Sequence, residues 1–164
     1  MIKKYSVLIG LIITVFLLII AISIYPGGTY QNKHSIGFDW TQNYISNLFE
    51  VKALNGIENI SRILAFCGMF FYSISCGIFL INMSRKIPEK TFRNILKASG
   101  IFIMPFTFLI ITPLHDWMLN ISSFLFWNCI GAITAFIFKT KLHFFKLYNV
   151  ICLLIFFYAV YIHA

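Results

Sequence analysis

The residues in this chain that could move a proton or hold a polar ligand fall in two places. His34, Asp39, Asn43 and Asn47 share one polar stretch, and His115 stands beside Asp116 much further along. Imidazole titrates near neutrality, and an adjacent carboxylate can fix which ring nitrogen carries the proton, so a His–Asp pair is raw material for acid–base catalysis. His115 and Asp116 are therefore the candidate catalytic residues. His34, Asp39, Asn43 and Asn47, with Trp40 and Trp117 as interfacial aromatics, are the candidate ligand-binding set. A plainer reading stands beside this one: Asp116 caps a helix against its N-terminal dipole, and the first stretch is a solvated connector.

Other chemistry has less to stand on. There is no HxxH or HxxxH spacing, so no metal site is expected, and no motif implies a cofactor. Ser46, Ser61, Ser122 and Ser123 lie near the same places, but none sits in a nucleophile elbow. Cys67, Cys76, Cys129 and Cys152 all fall inside apolar blocks without CxxC spacing and read as small hydrophobes. His143, beside Lys141 and Lys146, reads as a headgroup contact, and His163 has no chemical neighbour in sequence. Asn59-Ile-Ser61 and Asn120-Ile-Ser122 match the glycosylation sequon but read as helix-start caps. Ser73 and Gly77, and likewise Asn128, Gly131, Ala132 and Ala135, share helix faces where small residues allow close packing.

The elements that must position these residues follow from bulk composition. Of 164 residues, 60% are hydrophobic and 11% charged, with a mean hydropathy of +0.86. Such a chain has too little polar surface to cover a core in water. Its apolar residues come in long blocks, and a helix needs about 20 of them to cross roughly 30 Å of hydrocarbon. The expected fold is an all-α membrane bundle of five transmembrane helices, at about 5–25, 61–83, 94–114, 118–138 and 147–163. The first block is too long for a signal h-region and is read as retained. Pro105 predicts a kink in the third helix.

Between the first two helices lies the one long polar loop, about 26–60. Within it, residues 38–49 look like a short interfacial helix. Asp39 could cap its start with Gln42 in capping-box spacing, and Asp39, Asn43 and Asn47 recur at i, i+4 and i+8 as a polar stripe. The whole chain reads as a single domain.

Charge placement predicts orientation. Ten of the thirteen basic residues, with Glu89 the sole acid, fall on the side of the N-terminus and of the second-to-third and fourth-to-fifth connections. The other side holds Lys33, Lys52 and Arg62 against four acids, a balance of −1 against +9 that accounts for the formal +8. Basic residues that flank apolar blocks signal topology rather than nucleic-acid binding, so the N-terminus is expected in the cytoplasm and the C-terminus outside.

Four segments, Tyr25-Pro-Gly-Gly-Thr29, Ile36-Gly-Phe-Asp-Trp40, Asn43-Tyr-Ile-Ser-Asn-Leu48 and Thr112-Pro-Leu-His-Asp116, carry a resemblance. Together they resemble an uncharacterised multi-pass family of bacterial membrane proteins, a domain of unknown function. The resemblance spans the end of helix one to helix four and implies a bacterial inner-membrane location with a shared exterior polar motif. It implies no activity. Members of that family often carry a further helix, so a shorter variant or a fragment is one expectation.

The sequence thus points to a membrane protein whose exterior pocket binds a lipid headgroup or small polar ligand. The alternatives are an intramembrane enzyme on a lipid-type substrate, with His115 as acid/base, and a structural subunit of a membrane complex. Membrane lipid is the expected partner and nucleic acid is not; a homo-oligomer or larger complex stays open. A transporter is disfavoured, because no inverted repeat or mid-membrane charge is present.

Overall fold

The computed structural model describes residues 2–141 and 143–163. Among them are five α-helices and one short 3-10 helix, with no strand beyond two isolated β-bridges. The helices are α1 (Ile2–Ser23), α2 (Arg62–Ser84), α3 (Lys90–Leu109), α4 (His115–Lys139) and α5 (His143–His163). The 3-10 helix, Ile45–Phe49, lies in the long connection between α1 and α2.

Among the described residues, three stretches are long and apolar enough to cross a membrane: Tyr5–Ser23, Arg62–Ser84 and His115–Lys139. In these spans few large side chains are fully buried; most are exposed in Tyr5–Ser23 and partly buried in the other two. Helix α3 differs because Lys90, Arg93 and Lys97 occupy its first turns, and the described apolar part of α5, His143–Tyr158, is shorter.

The helices pack in sequence order, α1 on α2, α2 on α3 and α3 on α4, while α5 touches α4 sparsely. Small residues set the first two contacts, as expected where lipid tails supply no drive for helices to associate and close approach must do so. Thr14 Oγ1 donates to the carbonyl oxygens of Gly10 (2.9 Å) and Gly68 (3.2 Å), which ties α1 to α2. At the α2–α3 crossing a side chain on Gly77 would run into the Gly100 carbonyl and Met104. Leu80, Ile103 and Cys129 then form a shared core of α2, α3 and α4.

Three expectations need correction here. The third apolar block does not stay helical to residue 114. Helix α3 runs through Pro105 and stops at Leu109, and the chain turns over 110–114 with Thr112 Oγ1 donating to the Leu109 carbonyl (2.7 Å). The buried residues of α4 are Ser122, Cys129 and Ala132; Asn128 and Gly131 face outward, and nothing lies within 4 Å of where a Gly131 side chain would be. Asn120 likewise sits inside α4 rather than at its start.

Candidate functional site

The connection from α1 to α2, with the α3–α4 turn, forms one end of the molecule. The helix expected over 38–49 is reduced there to Ile45–Phe49. Asparagine explains why: its short amide competes for nearby backbone groups and favours turns over helix. Asn43 Oδ1 accepts the Asp39 N–H (2.8 Å), the bond expected of Gln42, while Asn43 Nδ2 donates to the Gly28 carbonyl (2.9 Å). Asn47 Oδ1 accepts the Tyr44 N–H (2.7 Å) and so caps the 3-10 helix. Both asparagines are buried, so this stripe holds the loop together. Asp39 accepts the N–H and hydroxyl of Thr41 (2.8 and 2.6 Å), and these bonds hold its carboxyl below the usual carboxylate range.

Asn59 does most to join the loop to α2. Buried to 4% exposure, its Nδ2 donates to the carbonyls of Asn47, Leu48 and Glu50 (3.0–3.2 Å), and its Oδ1 accepts from Ser61. Tyr25, at the exit of α1, accepts the Leu54 N–H through its hydroxyl (3.1 Å). Gly28, at φ +89, passes so close to Leu54 and Asn55 that no side chain would fit. Tyr25, Leu48, Ala53 and Ala65 complete a small apolar core with Ala21.

On this frame lie two clefts that share no lining residue. The first, of about 330 Å³, is lined by Ser46, Phe49, Glu50, Arg62, Thr112 and His115. Arg62 Nε donates to the Phe49 carbonyl (3.0 Å), and its guanidinium lies 4.8 Å from the Phe66 ring centre. Its terminal nitrogens have no hydrogen-bond partner among the described residues. His115 Nδ1 is 2.7 Å from the Ile110 carbonyl oxygen. Carbonyls only accept, so Nδ1 carries the hydrogen and Nε2 remains for a ligand.

The second cleft, of about 390 Å³, is lined by Tyr30, Gln31, Trp40, Thr41, Gln42, Asn43 and Tyr44. The candidate residues are therefore divided. Trp40 and Asn43 line the second cleft with Asp39 beside it; His115 lines the first; His34 is exposed on the loop and lines neither. No hydrogen bond joins Asp116 to His115 among the described residues. Asp116 is exposed in the first turn of α4, and Trp117 is exposed beside it.

Sequence reasoning missed Arg62 and Glu50 as site residues, having counted them only as topological charges. A usable signal existed: Arg62 is one of just three basic residues on its side of the chain and opens an apolar block. Comparison with family models, curated proteins and solved structures finds no match for this chain.

Proposed function

We propose that this is a five-crossing integral membrane protein that holds a zwitterionic lipid headgroup in the Arg62–His115 cleft. One observation carries the reading: a guanidinium, an imidazole and the Glu50 carboxylate share one cleft of about 330 Å³. That volume falls within the range of small-ligand sites. A phosphate takes the free terminal nitrogens of Arg62, since a planar guanidinium suits phosphate geometry, while His115 Nε2, left with a lone pair, accepts from the ammonium end of the headgroup. An ammonium group takes Glu50. The apolar walls, including Phe49, Ile110 and Ile111, suit the start of the acyl chains.

Depth supports this placement. Arg62 and His115 are the first residues of two membrane-length helices, so both stand where hydrocarbon meets headgroups. The skewed basic residues support an N-terminus in the cytoplasm, a C-terminus outside and the cleft on the extracytoplasmic face of a bacterial inner membrane. The likeness of four segments to the uncharacterised multi-pass family belongs to the same proposal. An acid–base enzyme has less support, because the His115 ring is held by a backbone carbonyl and not by a carboxylate.

Native mass spectrometry of the protein released from bacterial membranes tests the reading. The wild type retains one phosphatidylethanolamine in preference to phosphatidylglycerol. Arg62→Gln weakens retention about tenfold or more, the effect of losing a charge-assisted contact worth about 1.5–3 kcal/mol. Glu50→Gln removes the preference for the amine-bearing lipid. Equal retention of both lipids by the wild type and both variants overturns the proposal.

A further inference from the structure

The second cleft has a chemistry of its own. Three aromatic residues ring it: Tyr30 is 63% exposed, Trp40 70% and Tyr44 61%. Tyr30 and Tyr44 meet edge to face with ring centres 6.4 Å apart, and Trp40 is propped at 5.4 Å by Phe38, itself against Tyr25. Trp40 is thus held against the packed base of the loop, and Tyr30 and Tyr44 against each other, while a large part of each ring stays open. Gln31, Thr41 and Gln42 line the cleft with them. Neither glutamine carboxamide, nor the hydroxyl of Tyr30 or Tyr44, makes a hydrogen bond among the described residues. Thr41 spends its hydroxyl hydrogen on Asp39, so its oxygen is left to accept.

We infer that the groove between Tyr30, Trp40 and Tyr44 binds a neutral oligosaccharide. A sugar ring has an apolar face of C–H bonds, which suits the negative face of an aromatic ring, and a rim of hydroxyls that both donate and accept. Amides and hydroxyls left unpaired at an aromatic groove match that rim, because each can serve as donor or acceptor as the ligand requires. No charged side chain lines the groove itself, and the two nearest it, Lys33 against Tyr30 and Asp39 bonded to Thr41, are of opposite sign, so the groove favours neither an anion nor a cation.

A quaternary ammonium is the other ligand that a cluster of aromatic rings attracts. Here the Lys33 ammonium already lies 5.4 Å from the Tyr30 ring centre, where it repels a second cation. The remaining alternative is that these aromatics merely rest in the headgroup layer, as interfacial Trp and Tyr do. The inference does not depend on the Arg62 cleft, which shares no lining residue with this groove.

Trp40 serves as the reporter. The chain has three tryptophans, so the Trp117→Phe/Trp127→Phe variant, reconstituted into lipid nanodiscs, leaves Trp40 as the sole indole. Gluco-, N-acetylgluco-, manno- and galacto-oligosaccharides are titrated in turn, then choline chloride, and brominated phosphatidylcholine is used to measure depth. At least one oligosaccharide is expected to shift Trp40 emission saturably. Gln42→Ala and Tyr44→Ala each weaken it about fivefold or more, equivalent to about 1 kcal/mol. Brominated acyl chains leave the emission unquenched. A flat response to all four sugars, a response to choline alone, or quenching by brominated lipid overturns the inference. Saturation-transfer NMR of the same sugars with the unmodified chain reads binding without any tryptophan substitution, and no transfer from any of them likewise overturns it.

Discussion

In the cap formed by residues 24–61 the side chains that fix the backbone are mostly amides. In the layer of helices beneath it they are glycines and small hydroxyl residues that let backbones touch. Each solution suits its surroundings. The cap has many backbone groups outside regular structure, every one of which needs a partner, and a buried asparagine can satisfy several at once. The helices have satisfied their own backbones, so their association rests on close packing. Helix α5 uses neither device extensively; Asn149 reaches Thr134 of α4 at 3.1 Å, and most of its described apolar side chains remain open. The second cleft lies wholly in the cap, and the first lies where the cap meets the start of α2 and the α3–α4 turn; directional bonds there hold open shapes that close packing would fill.

The sharpest way to break the comparison is at Asn59. Asn59→Ala strips a donor from three carbonyls and an acceptor from Ser61 at a site only 4% exposed. Leaving buried polar groups unpaired costs about 1–3 kcal/mol each, and partial rescue by water at the Glu50 end brings the expected loss to about 3 kcal/mol. Thermal unfolding in detergent measures it. A loss below about 1 kcal/mol would mean that the cap is held by its apolar base instead.

The corresponding strike on the helical layer is Gly77→Val. The new side chain meets the Gly100 carbonyl, so α2 and α3 must move apart. Overpacking costs about 1–3 kcal/mol. Unlike the Asn59 change, this one is expected to leave the lipid retention proposed for the Arg62 cleft largely intact, because the crossing is far along α2 from its first residue. Gly131→Ala is the matched control: with open space at that position it should unfold no earlier than the wild type. Equal destabilisation by both glycine changes would remove the distinction between packed and lipid-facing surfaces.

The helical layer was legible in the sequence and the cap was not. Long apolar runs set the bounds of α1, α2 and α4 to within a few residues, since membrane-length hydrophobicity has few other uses. The same signal failed at 110–114, where the run stays apolar while the chain turns; Thr112 and Pro113 were the local clues. In the loop, the recurrence of Asp39, Asn43 and Asn47 at helical spacing was genuine but misleading. Polar residues four apart also arise when each amide serves a turn of its own, and periodicity does not record which backbone group an amide will find. Nor could spacing reveal that Arg62 and His115 share a cleft, because that closeness is made by the α2–α3–α4 packing order.

The smallest expected effect concerns pH and the open edge of the cap. Asp39 accepts both the hydroxyl and the backbone N–H of Thr41, and these bonds favour its charged form. Its pKa is therefore lower in the folded chain than in the unfolded one. Such a carboxylate contributes stability in full above its unfolded pKa, and that contribution fades as pH falls through the folded value. Asp39→Asn keeps an oxygen for Thr41 but cannot titrate, so the variant should show a shallower loss of stability on acidification while differing little near neutrality. Because the group is well solvated, water screens most of the gain, and the change stays small beside those at Asn59 and Gly77. Melting temperatures of the two proteins across the acid range provide the measurement. A steeper acid loss in Asp39→Asn than in the wild type would show that the Thr41 bonds do not favour the charged carboxylate.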